Sequence, residues 1–169
     1  IQLSSTDPRY EGMGTTATAV IIEGTIDKVN MWIGHVGDTR AYMLSTNNII
    51  QLTKDHTLVQ ELVDRGVITS EQARAHPQRN VITRALGSPD SNPDIISREL
   101  TQQFLLLICS DGLIHTISEY ELHSFIYNNV LREEKTYTDI VKELCDIALR
   151  RGEGDNITAI LAGPFNAYR

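Results

Sequence analysis

Cysteine and long apolar stretches are scarce in this sequence, and each shortage excludes a class of protein. Two cysteines in 169 residues, Cys109 and Cys145, are too few for a small secreted scaffold held by disulfides. We expect both to be buried as small apolar residues. The longest run without a polar residue, Phe104–Cys109, is far short of the roughly 20 residues of a membrane-spanning helix. No basic and apolar leader opens the sequence, so we expect a cytoplasmic protein.

Positive charge is also in deficit. Lysine and arginine number 15 against 22 acidic residues, which gives a net charge of −7 with neutral histidines. Such a surface repels phosphate backbones, so bulk charge does not favour nucleic-acid binding. With 41% hydrophobic and 22% charged residues, the composition is that of an ordinary globular domain. We predict one domain over residues 1–169.

Short runs rich in β-branched residues, separated by glycine-containing turns, predict antiparallel strands in the first part of the chain. The turns leave no room for crossover helices, which favours a meander. The predicted strands are Thr16–Ile22, Val29–Val36, Ala41–Leu44 and Ile49–Leu52. Residues 53–94 interrupt this pattern as an excursion with two short helices, the second opened by a capping box at Thr69 and Gln72.

The second part of the chain predicts further strands and two helices, so the fold class is α+β. We predict a hairpin of Ile95–Leu100 and Phe104–Cys109, and a last strand at Ile157–Ala162. Every residue of Phe104–Cys109 is apolar, so both faces of this strand should be covered. Capping residues and apolar spacing predict one helix from Ser118 and another from Thr138.

Three aspartates share one setting, beside a glycine and at one end of a predicted strand: Asp38, Asp111 and Asp155. Carboxylates gathered at a sheet edge repel one another, and they are costly to keep charged as they lose water. A divalent cation removes both costs, and oxygen ligands without thiolates favour magnesium or manganese over zinc or copper. The alternative is that aspartate and glycine are simply turn formers at these three places.

Five short motifs resemble, in order along the chain, those of the metal-dependent protein phosphatases, the PPM or type 2C family. They are Gly12–Thr16, Val36–Tyr42, Asp55–Thr57, Ser110–Leu113 and Gly154–Thr158. The segment His76–Gly87 resembles the bacterial branch in particular. The resemblance implies part of an α-β-β-α sandwich, in which two antiparallel sheets pack face to face with a helix pair outside each.

The resemblance also implies a site. It places Asp111 and Asp155 on the second of two core metal ions, Mn²⁺ or Mg²⁺, and Asp38 with Asp111 on a third, weaker ion. Two such ions would activate water for hydrolysis of phosphoserine or phosphothreonine, so no cysteine nucleophile is needed. The excursion would be a flap beside the active site, with His76 as a candidate catalytic residue. A histidine at a helix end is also stabilised by the helix dipole without any catalytic role.

The sequence departs from the family pattern before Gly12. Members of the family carry a phosphate-binding arginine there, and a glycine-rich turn whose aspartate bridges the two core ions. Residues 1–11 are too few to hold both features. We therefore expect the sandwich to lack its N-terminal strands and helices and the isolated chain to be inactive. The edge left exposed is a candidate surface for self-association.

Two other functions stay open from the residues alone. A pseudophosphatase would keep the fold and bind partners without catalysis, and a calcium-binding module would need an aspartate-rich loop that the sequence lacks. For a phosphatase, the implied partners are phosphorylated protein substrates and the opposing Ser/Thr kinase. We expect Arg40 to pair with a carboxylate rather than with phosphate, and His35 to be a hydrogen-bonded strand residue.

Overall fold

Seven strands form two antiparallel sheets in the computed structural model, which describes residues 7–24, 28–100, 103–132 and 134–165. Two of them, β2 and β6, have the bounds that the sequence pattern predicts. The strands in this part of the chain are β1 (Ala17–Gly24), β2 (Val29–Val36), β3 (Arg40–Ser45), β4 (Asn48–Gln51), β5 (Asp94–Leu100), β6 (Phe104–Cys109) and β7 (Ala159–Phe165).

The pairing of these strands differs from the predicted meander. One sheet has the strand order β1–β2–β5 and the other has the order β4–β3–β6–β7, with antiparallel neighbours throughout. The chain therefore crosses from one sheet to the other at residues 37–39, between β2 and β3. The predicted meander is wrong at this turn, because β2 lies in the three-stranded sheet and the next strand, β3, is an inner strand of the four-stranded sheet.

The predicted hairpin of β5 and β6 is also wrong. β5 pairs with β2, with Ile96 opposite Ile33, whereas β6 lies between β3 and β7. The burial of each strand explains the separation. In β5 the side chain of Ile95 is 72% exposed while Ile96 contacts the core, as suits a sheet with one open face. β6 is apolar on both faces and therefore takes an inner position in the sheet that is covered on both sides.

β6 separates two apolar cores, which confirms that both of its faces are covered. Phe104 and Leu106 pack between the two sheets, and Leu105, Leu107 and Cys109 pack on the opposite side of the strand. Burying one such leucine stabilises the fold by roughly 1.5–3 kcal/mol before the entropic cost of ordering. The side chains that complete the two cores are Val29, Met31, Ile33 and Ala41 between the sheets, and Leu122, Ile126, Ile140 and Leu144 on the helical side.

Two long helices cover the four-stranded sheet. The described helices are α1 (Leu58–Asp64), α2 (Ser70–Arg74), α3 (Asp111–Ile114), α4 (Glu119–Arg132) and α5 (Tyr137–Arg150). Ser118 caps α4 as predicted, since its hydroxyl accepts from the Glu121 amide and the Glu121 carboxylate accepts from the Ser118 amide. α5 begins at Tyr137, and its cap is Thr136 rather than the predicted Thr138, because Asp139 stands three residues after Thr136 and completes a capping box with it.

The three-stranded sheet has an open outer face in the described part of the chain. Ile21 and Trp32 are cross-strand partners on this face and are 66% and 38% exposed. Ile95 on the neighbouring strand is exposed with them. The fold is therefore two packed sheets with a helix pair on one side, as the expectation of a partial α-β-β-α sandwich requires. None of the described helices is long and apolar enough to cross a bilayer.

The capping box of α5 gives a direct test of where this helix begins. Thr136→Ala removes the acceptor for the Asp139 amide and should lower the free energy of unfolding by about 1 kcal/mol. Thr138→Ala is the matched control, because Thr138 is exposed within the helix and should change stability by less than about 0.5 kcal/mol. Urea unfolding at constant m-value measures both. A larger loss for Thr138→Ala would contradict the assignment.

Candidate metal centre

Asp38 lies in the turn that carries the chain from one sheet to the other. Gly37 before it has φ +108°, and a side chain there would overlap that of Thr16, so the turn requires glycine. Asp38 itself is half-buried and lines a cleft of about 690 Å³. The glycine turn predicted from the sequence therefore positions a carboxylate where strands of the two sheets meet.

Asp111 is the first residue of α3, directly after β6, and lines the same cleft. Its turn is fixed against the loop that carries Asp155. A Cβ on Gly112 would lie 2.8 Å from the carbonyl oxygen of Asn156, so only glycine permits this approach. Ser110 and Thr158 join the two segments through reciprocal hydrogen bonds of 2.9 and 3.0 Å, from the Ser110 amide to the Thr158 carbonyl and from the Thr158 amide to the Ser110 hydroxyl.

Asp38 and Asp111 are brought together, although 73 positions separate them in the sequence. Burial, and after it the negative charge of Asp111, raise the pKa of Asp38 above its ordinary value. His115 partly offsets this effect. The pair thus forms an acidic patch that is only partly neutralised, as the clustering argument from the sequence anticipated.

Asp155 lies on the loop that is bonded to the Asp111 turn, and it is exposed. It does not line the cleft, and its carboxylate accepts from the Asn156 amide at 2.7 Å. Its own amide donates to Glu153, whose other carboxylate oxygen lies 3.4 Å from Nδ1 of His115. Nε2 of the same ring lies 3.6 Å from the Asp111 carboxylate. The loop of Asp155 and the turn of Asp111 are therefore neighbours.

The donor atoms suit a hard divalent cation. Within the described ranges, no group of three or more His, Cys, Asp or Glu side chains is arranged to hold a metal ion. Magnesium is often held by one or two carboxylates and several waters, which is the set that Asp38 and Asp111 can supply. Burial and then the charge of Asp111 raise the pKa of Asp38, and such an ion would offset both effects. The assignment of the three aspartates as ligands stays a prediction.

Arg40 pairs with a carboxylate, as predicted, and its partner is Asp55. The guanidinium makes a bidentate contact, with Nε and Nη2 at 2.9 and 2.7 Å from the two Asp55 oxygens, and Nη1 donates to the Tyr42 hydroxyl at 3.1 Å. Burial opposes the charge, but the hydrogen bonds to Asp55 raise the pKa of Arg40 above its ordinary value. Arg40 lines the cleft and is already paired there, so its charge is committed to Asp55.

His76 does not line the cleft in this structure. It follows the short helix α2, its amide donates to the Ala73 carbonyl, and its Nδ1 accepts from the Gln78 amide at 3.1 Å. These contacts match the role of a helix-end residue, and a catalytic role for His76 stays a prediction. The excursion instead contributes Arg74 and Arg79 to the cleft lining.

His35 is a hydrogen-bonded strand residue and Cys109 is buried, as predicted, whereas Cys145 is only partly buried. His35 bonds through Nδ1 to the Thr18 hydroxyl at 2.8 Å and through Nε2 to the Lys54 carbonyl at 3.0 Å, and burial lowers its pKa. Both cysteines are free thiols. Burial raises the pKa of Cys109 to about 12, so this thiol is protonated at neutral pH and is not a nucleophile.

Four residues that support the site were not predicted as site residues: Asp55, His56, His115 and Glu153. Asp55 and His56 had one sequence signal, their place in a short motif that resembles the phosphatase family. His115 and Glu153 had none, because their contacts join segments that are far apart in sequence.

Comparison with known proteins agrees with the resemblance seen in the motifs. Residues 2–62 match the family described as Protein phosphatase 2C. The chain is 38% identical over 156 residues to the serine/threonine protein phosphatase PstP of Mycobacterium tuberculosis, covering 92% of this chain and 28% of that protein. It is also 38% identical over 156 residues to the protein phosphatase PhpP of Streptococcus pneumoniae, covering 60% of it.

Solved structures show the same relationship in three dimensions. The crystal structure of the M. tuberculosis phosphatase PstP/Ppp superposes with a TM-score of 0.82 at 36% identity, over 95% of this chain and 64% of that one. A PstP catalytic domain in complex with two manganese ions superposes with a TM-score of 0.78 at 33% identity. The chain spans less than two thirds of the length of these relatives. In sequence and in fold, the chain is similar to bacterial members of the protein phosphatase 2C family.

Proposed function

We propose that this chain is part of a metal-dependent phosphatase that hydrolyses phosphoserine and phosphothreonine in proteins. The observation that carries the proposal is the convergence of Asp38 and Asp111 in one cleft, where burial and the charge of Asp111 raise the cost of ionising Asp38. A divalent cation removes that cost. Related proteins from M. tuberculosis and Listeria monocytogenes are named serine/threonine phosphatases, which supports phosphoserine and phosphothreonine as the substrate class.

The proposed cofactor is Mn²⁺ or Mg²⁺, as two core ions and a third, weaker ion. Asp111 and Asp155 would hold a core ion, and Asp38 with Asp111 would hold the third. When bound, such ions supply Lewis-acid activation of water and neutralise phosphate charge. The structural neighbour that contains two manganese ions supports this choice. The chain contributes oxygen donors on turns fixed by Gly37 and Gly112.

Two arginines at the cleft offer charge that is complementary to the phosphate of a phosphorylated peptide. Arg74 and Arg79 line it from the excursion, and both are exposed. A guanidinium binds phosphate through two parallel hydrogen bonds, so these residues suit the substrate rather than the cation. We propose that the aspartates hold the ions and that the excursion contacts the phosphoprotein. His76 follows α2 in this excursion, outside the cleft lining.

The second candidate function is a pseudophosphatase that binds partners with the same fold. One observation favours it, since the described residues present no ready group of three metal-ligating side chains. Against it, Asp38, Asp111 and Asp155 are all acidic, whereas a degenerate site would tolerate neutral residues at these places. Cation binding distinguishes the two candidates.

The proposed function carries further proposals about context. A phosphoserine and phosphothreonine phosphatase acts opposite a Ser/Thr kinase on shared phosphoprotein substrates, and we place this pair in the cytoplasm. Self-association is proposed through the open face of the three-stranded sheet, where Ile21, Trp32 and Ile95 are exposed.

Cation binding tests the proposed metal centre. Mn²⁺ at about 100 times its dissociation constant should stabilise the folded chain by roughly 2.7 kcal/mol, and Ca²⁺ should bind more weakly. Asp111→Asn should abolish this stabilisation, because it removes the carboxylate shared by two of the proposed sites. Calorimetric titration and thermal unfolding, each with a chelator blank, measure the effect.

Asp90→Asn is the matched control for Asp111→Asn. It makes the same change of charge at an exposed turn outside the cleft and should leave Mn²⁺ binding unaltered. A folded wild-type chain that binds neither Mn²⁺ nor Mg²⁺ would support the pseudophosphatase instead. In the phosphatase itself, release of phosphate from a phosphothreonine peptide should require Mn²⁺ and Asp111, and turnover in excess chelator would contradict the mechanism.

The raised pKa of Asp38 predicts how stability depends on pH without metal. The ionised carboxylate destabilises the fold, so its cost grows as pH rises from the ordinary value of 3.8 through the raised pKa and is constant above it. Asp38→Asn should therefore be more stable than wild type at pH 7 in chelator, with a gain that disappears below pH 3.8. Adding Mn²⁺ should narrow or reverse the difference. Urea unfolding across pH measures this, and a gain that persists at low pH would contradict it.

A further inference from the structure

His56 is the hydrogen-bond partner of both backbone polar groups of Gly37, the residue directly before Asp38. The Gly37 amide donates to Nδ1 of the His56 ring at 3.1 Å, and the His56 amide donates to the Gly37 carbonyl at 2.7 Å. His56 is 4% exposed, so these bonds do not compete with bulk water. Two bonds from one buried residue therefore fix the backbone on the N-terminal side of the Asp38 carboxylate.

The opposite side of the ring is also fixed. Because Nδ1 accepts a hydrogen bond, the proton of the neutral ring is on Nε2, which donates to the Asp94 carboxylate at 3.1 Å. The other oxygen of Asp94 accepts from Arg84 at 2.9 Å. The orientation of the ring is thus set by a carboxylate that is itself held by an arginine, a pattern common around ligating groups.

The same residue joins the two ends of the excursion. The His56 carbonyl accepts from the Thr83 amide at 2.8 Å, and Thr57 forms an isolated bridge with Ile82. Asp94, at the start of β5, is where the excursion ends. His56 therefore contacts the Asp38 turn, the returning part of the excursion and its last residue at once.

We propose that His56 is a positioning residue, which holds the Gly37–Asp38 peptide so that the Asp38 carboxylate faces the cation and connects this carboxylate to the base of the excursion. The proposal rests on the proposed metal centre and adds to it the residue that orients one of its ligands. The ring acts on the ligand through backbone hydrogen bonds and does not touch the cation or the substrate.

Two substitutions of His56 separate the two sides of its ring. His56→Asn keeps an acceptor oxygen where Nδ1 lies and loses the donor to Asp94. His56→Gln keeps a donor where Nε2 lies and loses the acceptor for the Gly37 amide. We expect His56→Gln to weaken Mn²⁺ binding by roughly 10–100-fold, as supporting residues of metal sites do, and His56→Asn to stay close to wild type. Calorimetric titration with Mn²⁺ measures both.

A double-variant cycle shows whether His56 acts through Asp38. In an Asp38→Asn background, His56→Gln should cause no further loss of Mn²⁺ affinity, since the ligand that it positions is already removed. An equal loss in both backgrounds, or equal behaviour of His56→Gln and His56→Asn, would overturn the proposal. A wild-type chain without Mn²⁺ binding would overturn the metal centre and this inference with it, whereas the other two results leave the metal centre intact.

A measurement on the unaltered chain covers the case in which a His56 variant does not fold. Titration with diamagnetic Mg²⁺ should shift the NMR signals of the Gly37 amide and of the His56 ring nitrogens together. His123 is the internal control, because its Nε2 bonds to the Ser45 carbonyl on another part of the sheet and should not respond. A shift of Asp38 without any response of Gly37 or His56 would also overturn the proposal.

Discussion

Repulsion between two partly buried carboxylates is the constraint on which the site depends. Asp38 and Asp111 line one cleft, where burial and then the charge of Asp111 make ionisation of Asp38 more costly. His115, 3.6 Å from the Asp111 carboxylate, offsets this cost only in part, and Arg40 nearby is bound to Asp55 by a bidentate contact. The fold tolerates this electrostatic cost because the backbone at Asp38 and at Asp111 is held by contacts that do not involve the carboxylates. The site is thereby left with negative charge, which is the state that a divalent cation requires.

The two-sheet architecture supplies that rigid backbone. Asp38 stands where the chain passes from the three-stranded sheet to the four-stranded sheet, and Asp111 stands at the end of β6, which is buried against both cores. Moving either turn would disturb strands on which both cores rest. Gly37 and Gly112 permit the close backbone approaches that this arrangement needs. The positions of Asp38 and Asp111 are therefore fixed by the packing of the strands that carry them, against the repulsion between their carboxylates.

Local elements of this fold could be predicted from the sequence, and the pairing of strands could not. β2 and β6 have the predicted bounds because their apolar patterns are strong and are flanked by turns. The predicted hairpin of β5 and β6 is wrong because proximity in sequence does not decide which strands pair. The difference between a half-buried and a fully buried strand pointed to separate sheets. The start of α5 depended on whether Thr136 or Thr138 had an acidic residue at the third helical position.

The same distinction holds for the site: residues in glycine-containing turns could be predicted from the sequence, and contacts between distant segments could not. Asp38 and Asp111 could be found because strand ends with glycine are visible in the sequence. The contacts of His56 with Gly37 and Asp94 span 19 and 38 positions, and no local pattern encodes them. These contacts also fix the two ends of the excursion beside the site. Its two ends are bonded at His56, close to Asp38, whereas Arg74 and Arg79 lie in the intervening segment that lines the cleft. Changes in that segment can alter what the cleft recognises while the bonds that position Asp38 are kept.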